Sequence, residues 1–267
     1  MAGQQSGFFQ LAFMLYNHAV EGNLNSSHWW RFPGRRPGED ALSMPTRSFS
    51  TTAIPIALGS ILLLLAGCQG RESRSPAPDP VAMSPQEHET WEIALVEMRI
   101  AKNEEFENPA LTPLPQDAIE GFAGLNYYYP APELRFRTPL LDAASADTVL
   151  LTKRKGQQVP YRTRGKVRFR HNDQDFELKV YGPVDTRDGD YLWLPFFDAT
   201  SGHETYGGGR YLDLEPDADG MIDLDFNFAY NPLCDYNPDR FNCTLPPADN
   251  KLPFAVEAGE MTFGASP

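Results

Sequence analysis

The sequence predicts a mainly β fold: an antiparallel sandwich or partly open barrel, with one N-terminal helix and an irregular, proline-rich C-terminal segment. Three observations carry this. Apolar and polar residues alternate along residues 166–180, the period of a sheet with one buried face. Helical spacing of apolar residues is confined to one stretch beginning near Trp91. Proline makes up 24 of the 267 residues, close to twice its usual share of about 5%. After Tyr230 it recurs too often for a regular sheet. With 41% hydrophobic residues the chain can bury one sizeable core or two modest ones.

In chain order, the first feature is an address. The apolar run Ala53 to Leu65 follows Arg47 and ends at Ala66-Gly67-Cys68. It is shorter than the roughly 20 residues of a spanning helix and reads as the core of a signal peptide over residues 44–67. Leu65-Ala66-Gly67-Cys68 resembles the bacterial lipoprotein box, in which the cysteine thiol is acylated and becomes the mature N-terminus. Residues 1–43 read as an over-extended frame or a disordered extension, because an export signal normally starts near the true N-terminus and Met44 would serve as one. Residues 68–83 read as a flexible tether, whose Ser- and Pro-rich part from Gly70 to Met83 has a reach of roughly 20 Å as a coil. The expected partner is therefore a membrane, through a lipid anchor at Cys68. The expected location is the bacterial cell envelope, on the periplasmic face of the outer membrane, since in lipoproteins resembling this one a residue other than aspartate after the cysteine, here Gln69, implies outer-membrane sorting.

The remaining residues, 84–267, read as one globular β-rich domain. Ser84-Pro85-Gln86-Glu87 opens a helix, with Ser as cap, Pro at the first turn and Glu closing a capping box. Trp91, Leu95 and Met98 form its apolar stripe, and the helix should fade between Asn103 and Asn108, before Pro109. Strands are predicted at Leu134 to Leu140, Thr148 to Thr152, Asp190 to Phe197, Gly209 to Leu214 and Met221 to Phe228. Residues 166–170 and 175–180 should form a hairpin about His171 to Gln174. Glu215-Pro-Asp217-Ala-Asp219-Gly220 resembles the start of a calcium loop but lacks the closing glutamate, so a polar hairpin turn is the reading preferred.

A net charge of −13 opposes binding to nucleic acid. Removing everything before Cys68 takes away four arginines (Arg31, Arg35, Arg36, Arg47) and three acids (Glu21, Glu39, Asp40), so the mature chain is more acidic still. The run from Lys153 to Arg170 is basic and free of acids; it reads either as a patch for anionic groups or as the solvated face of a hairpin. With Cys68 acylated, Cys234 and Cys243 remain as an even pair in an oxidising compartment. A disulfide is the leading reading, with two free thiols and a metal pair as alternatives. No cofactor and no metal site is expected.

Phe197 to Arg210 is the stretch densest in functional groups. Its glycines would let backbone N–H groups approach an anion, and Arg210 would add a fork of donors. A glycine-rich hairpin connection accounts for the same residues. The stretch is neither a Walker loop nor a dinucleotide fingerprint, and Ser201 lacks a nucleophile-elbow context.

Three motifs close the chain: F-x-D-x-T-S-G-x-E-T-Y-G-G-G-R at 196–210, D-F-N-x-A-Y-N-P-x-C at 225–234, and L-P-P-x-x-N-x-L with A-G-E between Leu245 and Glu260. They resemble the bacterial family known as domain of unknown function 1684, whose members are often lipoproteins. The family usually has glutamate where this chain has Asp249, and the position of His203 is not fixed in its pattern. The resemblance imports no activity. The candidate ligand-binding residues are Asp198, Thr200, Glu204, Tyr206, Arg210, Asp225, Asn227, Asn231, Asn250 and Glu260. Binding of a small or polymeric polar or anionic ligand, such as a glycan, is the leading expectation. One alternative is a hydrolase using Asp198, Glu204 or Asp225 as acid and base beside Arg210; the other is a structural envelope accessory in which the motifs pin the C-terminal wrap. On each reading Arg210, costly to bury unpaired, should contact Asp198, Glu204 or Asp225.

Overall fold

The computed structural model describes residues 76–142, 147–184 and 191–264. The N-terminal extension, the signal segment, Cys68 and the first part of the tether lie outside the described residues. The end of the predicted tether is docked: Val81 N–H donates to Arg135 O and Arg170 N–H to Pro78 O. Ala77 is buried.

Helix α1 spans Pro85–Glu107 and opens with the predicted capping box: Ser84 Oγ accepts from Glu87 N–H at 3.3 Å, while the Glu87 carboxylate accepts from Ser84 N–H at 2.8 Å. It stops at Asn108, before Pro109. Its inward stripe is Trp91, Leu95, Lys102 and Phe106. One-turn helices follow at Gln116–Ile119 (α2) and Leu233–Tyr236 (α3).

The strands form two antiparallel sheets. One has five strands in sequential order: β2 Thr148–Thr152, β3 Gln158–His171, β4 Gln174–Pro183, β5 Leu192–Phe196 and β6 Arg210–Leu214. The other pairs β1 Arg135–Pro139 with β7 Met221–Asp225. The arrangement is sandwich-like, and neither sheet closes into a barrel. Between the sheets Phe136, Val167, Phe169, Leu178, Val180, Leu194, Phe196, Ile222, Leu224 and Phe226 share one core. Burying each contributes roughly 1.5–3 kcal/mol. The predicted β3–β4 hairpin turns through Asn172 and Asp173, both at positive φ (48° and 59°), the geometry that continues the strands' right-handed twist.

The other face of the five-stranded sheet is apolar too. Leu151, Tyr161, Tyr181, Trp193 and Tyr211 form a second cluster there, so β5 is buried along its whole length. A third cluster joins α1 to the C-terminal segment through Phe106, Leu125, Leu233 and Tyr236, and includes the Cys234–Cys243 disulfide, whose Cα atoms are 5.9 Å apart.

Three elements differ from expectation. β3 begins at Gln158, well before the alternating stretch, because its first half pairs with β2. β7 stops at Asp225, where the side chain accepts from Asn227 N–H and starts a 3-10 turn over Phe226–Phe228. The turn after β6 does not join two strands of one sheet, since β6 and β7 belong to different sheets. Asp217 closes it locally by accepting from Asp219 and Met221 N–H groups.

Three of the eight basic residues in the run pair with carboxylates of neighbouring residues. Lys166 pairs with Asp142 and Glu177, and Arg168 and Arg170 share Asp175. Lys155 instead donates to the Asp239 carbonyl, and Arg154 to that of Pro238. The run's role as the outer face of a hairpin accounts for these positions.

Candidate functional site

The ten candidate side chains divide into buried nodes that join segments distant in sequence, and one exposed loop. Arg210 opens β6, and the strand's alternation turns it inward with Leu212 and Leu214. It is 0% exposed. Its Nη2 donates to Asp198 Oδ2 at 2.9 Å and to Val256 O at 2.7 Å, and its Nη1 to Ala258 O at 2.5 Å and Glu260 O at 3.3 Å. Of the three carboxylates expected, Arg210 is paired with Asp198. Asp198 Oδ1 in turn accepts from the N–H of Thr200 at 2.7 Å and from its hydroxyl at 2.5 Å. The guanidinium thereby ties the loop after β5 to residues 256–260 of the C-terminal segment.

The loop at 201–208 stands on this base. Thr200 and Thr205 share a 2.8 Å hydrogen bond, and Gly202 N–H donates to Thr205 O. His203 and Glu204 are exposed, and Tyr206 is half-buried. The glycine that follows the loop, Gly209, answers to packing. Gly209 has φ +81°, and a Cβ there would stand 2.8 Å from Phe196 O and 2.6 Å from the Pro246 ring. Because Arg210 is committed to Asp198 and three carbonyls, it does not present a fork to a bound anion.

Asn227 sits on the 3-10 turn after β7. Its Oδ1 accepts from Ala131 N–H at 2.7 Å and its Nδ2 donates to Ala131 O at 2.8 Å, so one amide satisfies both backbone groups of a residue 96 positions away. Asp225 accepts from Asn227 Nδ2 and from the Trp91 indole at 2.7 Å. Burial raises the Asp225 pKa, and these donors oppose the rise. The tryptophan of α1 is thus locked to β7.

Glu260 accepts from Lys102 Nζ at 2.7 Å, from the Tyr236 hydroxyl at 2.5 Å and from Asn231 N–H at 3.1 Å. Lys102 and Glu260 are both buried. Asn231 donates onward to Asp235 and to Met261 O. Asp235 also accepts from Thr262 and Phe263, and burial pushes its pKa up to about 6. The sheltered Tyr236 hydroxyl is pushed well above the ordinary tyrosine value by burial and by Glu260. Lys102 is absent from the sequence-based candidates, yet one signal for it exists: a lysine standing on the apolar stripe between Leu95 and Phe106. Gly259, at φ +76° and with its Cβ position 2.5 Å from Ala229 O, lets the A-G-E segment approach β7's end.

Asn250 is the last node. It bonds to both backbone groups of Lys179 and to Pro195 O, each at 2.8 Å. Among these residues Asp198 and Asp225 are enclosed by separate partners, and no hydrogen bond links either to Glu204. Among the described residues no group of three or more His, Cys, Asp or Glu side chains is placed to hold a metal ion.

No curated protein matches this chain. A solution NMR structure of an uncharacterized protein from Haloarcula marismortui is similar, at 33% identity and a TM-score of 0.53, over 68% of this chain and all of that one. The family model described as protein of unknown function (DUF1684) matches residues 120–261, which hold all three motifs and all ten candidate residues, while Trp91 and Lys102 of α1 precede the matched region. The chain therefore belongs to the DUF1684 family.

Proposed function

We propose that this protein is a lipid-anchored envelope accessory whose signature polar residues are framework, acting through its surface rather than through chemistry at the motif side chains. The observation that carries this reading is the commitment of those side chains to protein partners. Arg210, Asn227, Asn231, Asn250 and Glu260 are each no more than 1% exposed, and each joins segments far apart in sequence. A ligand group would have to displace these bonds, and the displaced backbone groups would lose their partners in a dry interior. Anchoring is read from the Leu65-Ala66-Gly67-Cys68 box and the apolar run before it.

Two measurements test it. Expression with labelled fatty acid in a bacterium should label the wild type and leave Cys68→Ala unlabelled and unprocessed; label on the variant removes the anchor. Thermal denaturation of the purified chain should show Asn227→Ala strongly destabilised. A variant of undiminished stability that loses a ligand-induced shift seen in the wild type would restore the ligand-binding reading.

A further inference from the structure

The outer face of the five-stranded sheet carries a group that the framework does not use. Asp213 lies on β6 two residues after Tyr211 and pairs in register with Trp193 of β5, so its side chain stands over the aromatic cluster. Tyr191 and Tyr230 both donate to the same oxygen, Oδ1, at 2.6 and 2.8 Å. Among the described residues Oδ2 accepts from no protein donor, and the residue is exposed. Two tyrosine hydroxyls thus hold the carboxylate in one orientation with its second oxygen toward solvent.

The surroundings are aromatic. Tyr230 meets Tyr211 edge-on at 5.7 Å, and Tyr211 meets Trp193 edge-on at 4.9 Å. Tyr191 and Tyr230 are half-buried, and both reach the carboxylate through their hydroxyls. Among the described residues no lysine, arginine or histidine forms an ion pair with Asp213. Among the described residues the cation that acts on Asp213 is Lys102, which lies 5.7 Å over the Tyr230 ring and is committed to Glu260.

We propose that Asp213, Tyr191 and Tyr230 form a binding site for an organic cation carrying a primary or quaternary ammonium group. A carboxylate with no ion-pair partner among the described residues supplies the ionic partner, and aromatic rings beside it attract the same cation through their quadrupole. The net charge of −13 brings cations toward the protein. A neutral polyol would gain only a hydroxyl contact at Oδ2 and would leave the charge unmatched. The titration of Asp213 fits a carboxylate that solvent touches while protein crowds it: desolvation pushes its pKa up to about 6, against the pull of both tyrosine hydroxyls and Lys102. Among the described residues the titratable groups that act on it are Tyr191, Tyr230 and Lys102, and tyrosine and lysine side chains ordinarily titrate well above neutral pH.

Calorimetric titration of the purified chain with choline and with ethanolamine, and with glucose as the neutral probe, tests the site. At least one of the two cations should bind at pH 7. Its Kd should weaken about tenfold at pH 5, because with a pKa of about 6 the ionised fraction falls by that factor. Asp213→Asn should abolish binding with little change in Tm, since the side chain is exposed. Tyr191→Phe, which keeps the ring, should retain binding within about threefold; it serves as the control if Asp213→Asn folds poorly. Absence of binding by both cations at pH 7, glucose binding in their place, or cation binding that ignores pH and the Asp213→Asn change overturns the proposal.

Discussion

Asn250 and Lys179 exchange two hydrogen bonds as though they were partners in a β-ladder, although one of them contributes a side chain. The Asn250 amide accepts from Lys179 N–H and donates to Lys179 O, both at 2.8 Å, and it also donates to Pro195 O. The registered pairing of β4 with β5 is confined to Tyr181 and Trp193. At the next inward position the strands part, and the amide fills the space with the donors and acceptor that a peptide would supply.

Replacing Asn250 should therefore be costly. Asn250→Ala leaves one donor and two acceptors unpaired inside the sheet, a loss of roughly 2–4 kcal/mol by urea denaturation. Asn250→Asp keeps the acceptor but cannot donate, so it should fail to recover that loss at pH 7. A cost under about 0.5 kcal/mol for the alanine variant would mean that water or backbone closes the gap instead.

Arg210 should tolerate neither truncation nor conservative exchange. Arg210→Met strands Asp198 in a dry interior, with an expected cost of about 3–5 kcal/mol. Arg210→Lys keeps the charge but cannot span Asp198 and the carbonyls of Val256, Ala258 and Glu260 at once. The double variant Asp198→Asn with Arg210→Met should be less destabilised than the sum of the singles. Strict additivity would show that the pair is not coupled.

The Cys234–Cys243 bridge closes a short loop within the third apolar cluster. Reduction should lower stability by about 2–3 kcal/mol in the chain-entropy account. The check is equilibrium denaturation with and without reductant, beside the Cys234→Ser, Cys243→Ser double variant, which should be insensitive to reductant.

Asp235 sets a pH dependence whose sign is fixed by its raised pKa. The native state holds the proton up to about pH 6, whereas the unfolded chain releases it near the ordinary aspartate value of 3.8. Between those values the native state binds more protons, so this group's contribution is fully present below the unfolded pKa and lost as pH rises through the folded one. Relative to Asp235→Asn, wild-type stability should therefore fall by something on the order of 1–2 kcal/mol from pH 4 to pH 6.5. Carboxyl NMR of Asp235 gives the pKa directly; a midpoint near 4 contradicts the burial argument.

What could be read from the sequence alone was local in origin. The capping box at Ser84 and Glu87, the stop before Pro109, and the alternation that faces Val167, Phe169, Leu178 and Val180 inward depend on residues within a few positions of one another. The pairing of Cys234 with Cys243 followed from counting, and the family from three motifs of particular spacing. The destinations of the motif side chains were not local. Asn227 meets Ala131 across 96 positions, Glu260 meets Lys102 across 158, and Asn250 meets Lys179 across 71. A polar residue with a partner in its own chain and one awaiting a ligand have the same letter and the same spacing. Tertiary packing decides between them, because burial removes water as the competing partner and leaves only the groups that the fold brings within hydrogen-bond reach. The same packing placed Asp213 among aromatic rings and left its second oxygen open, which no pattern along β6 announces.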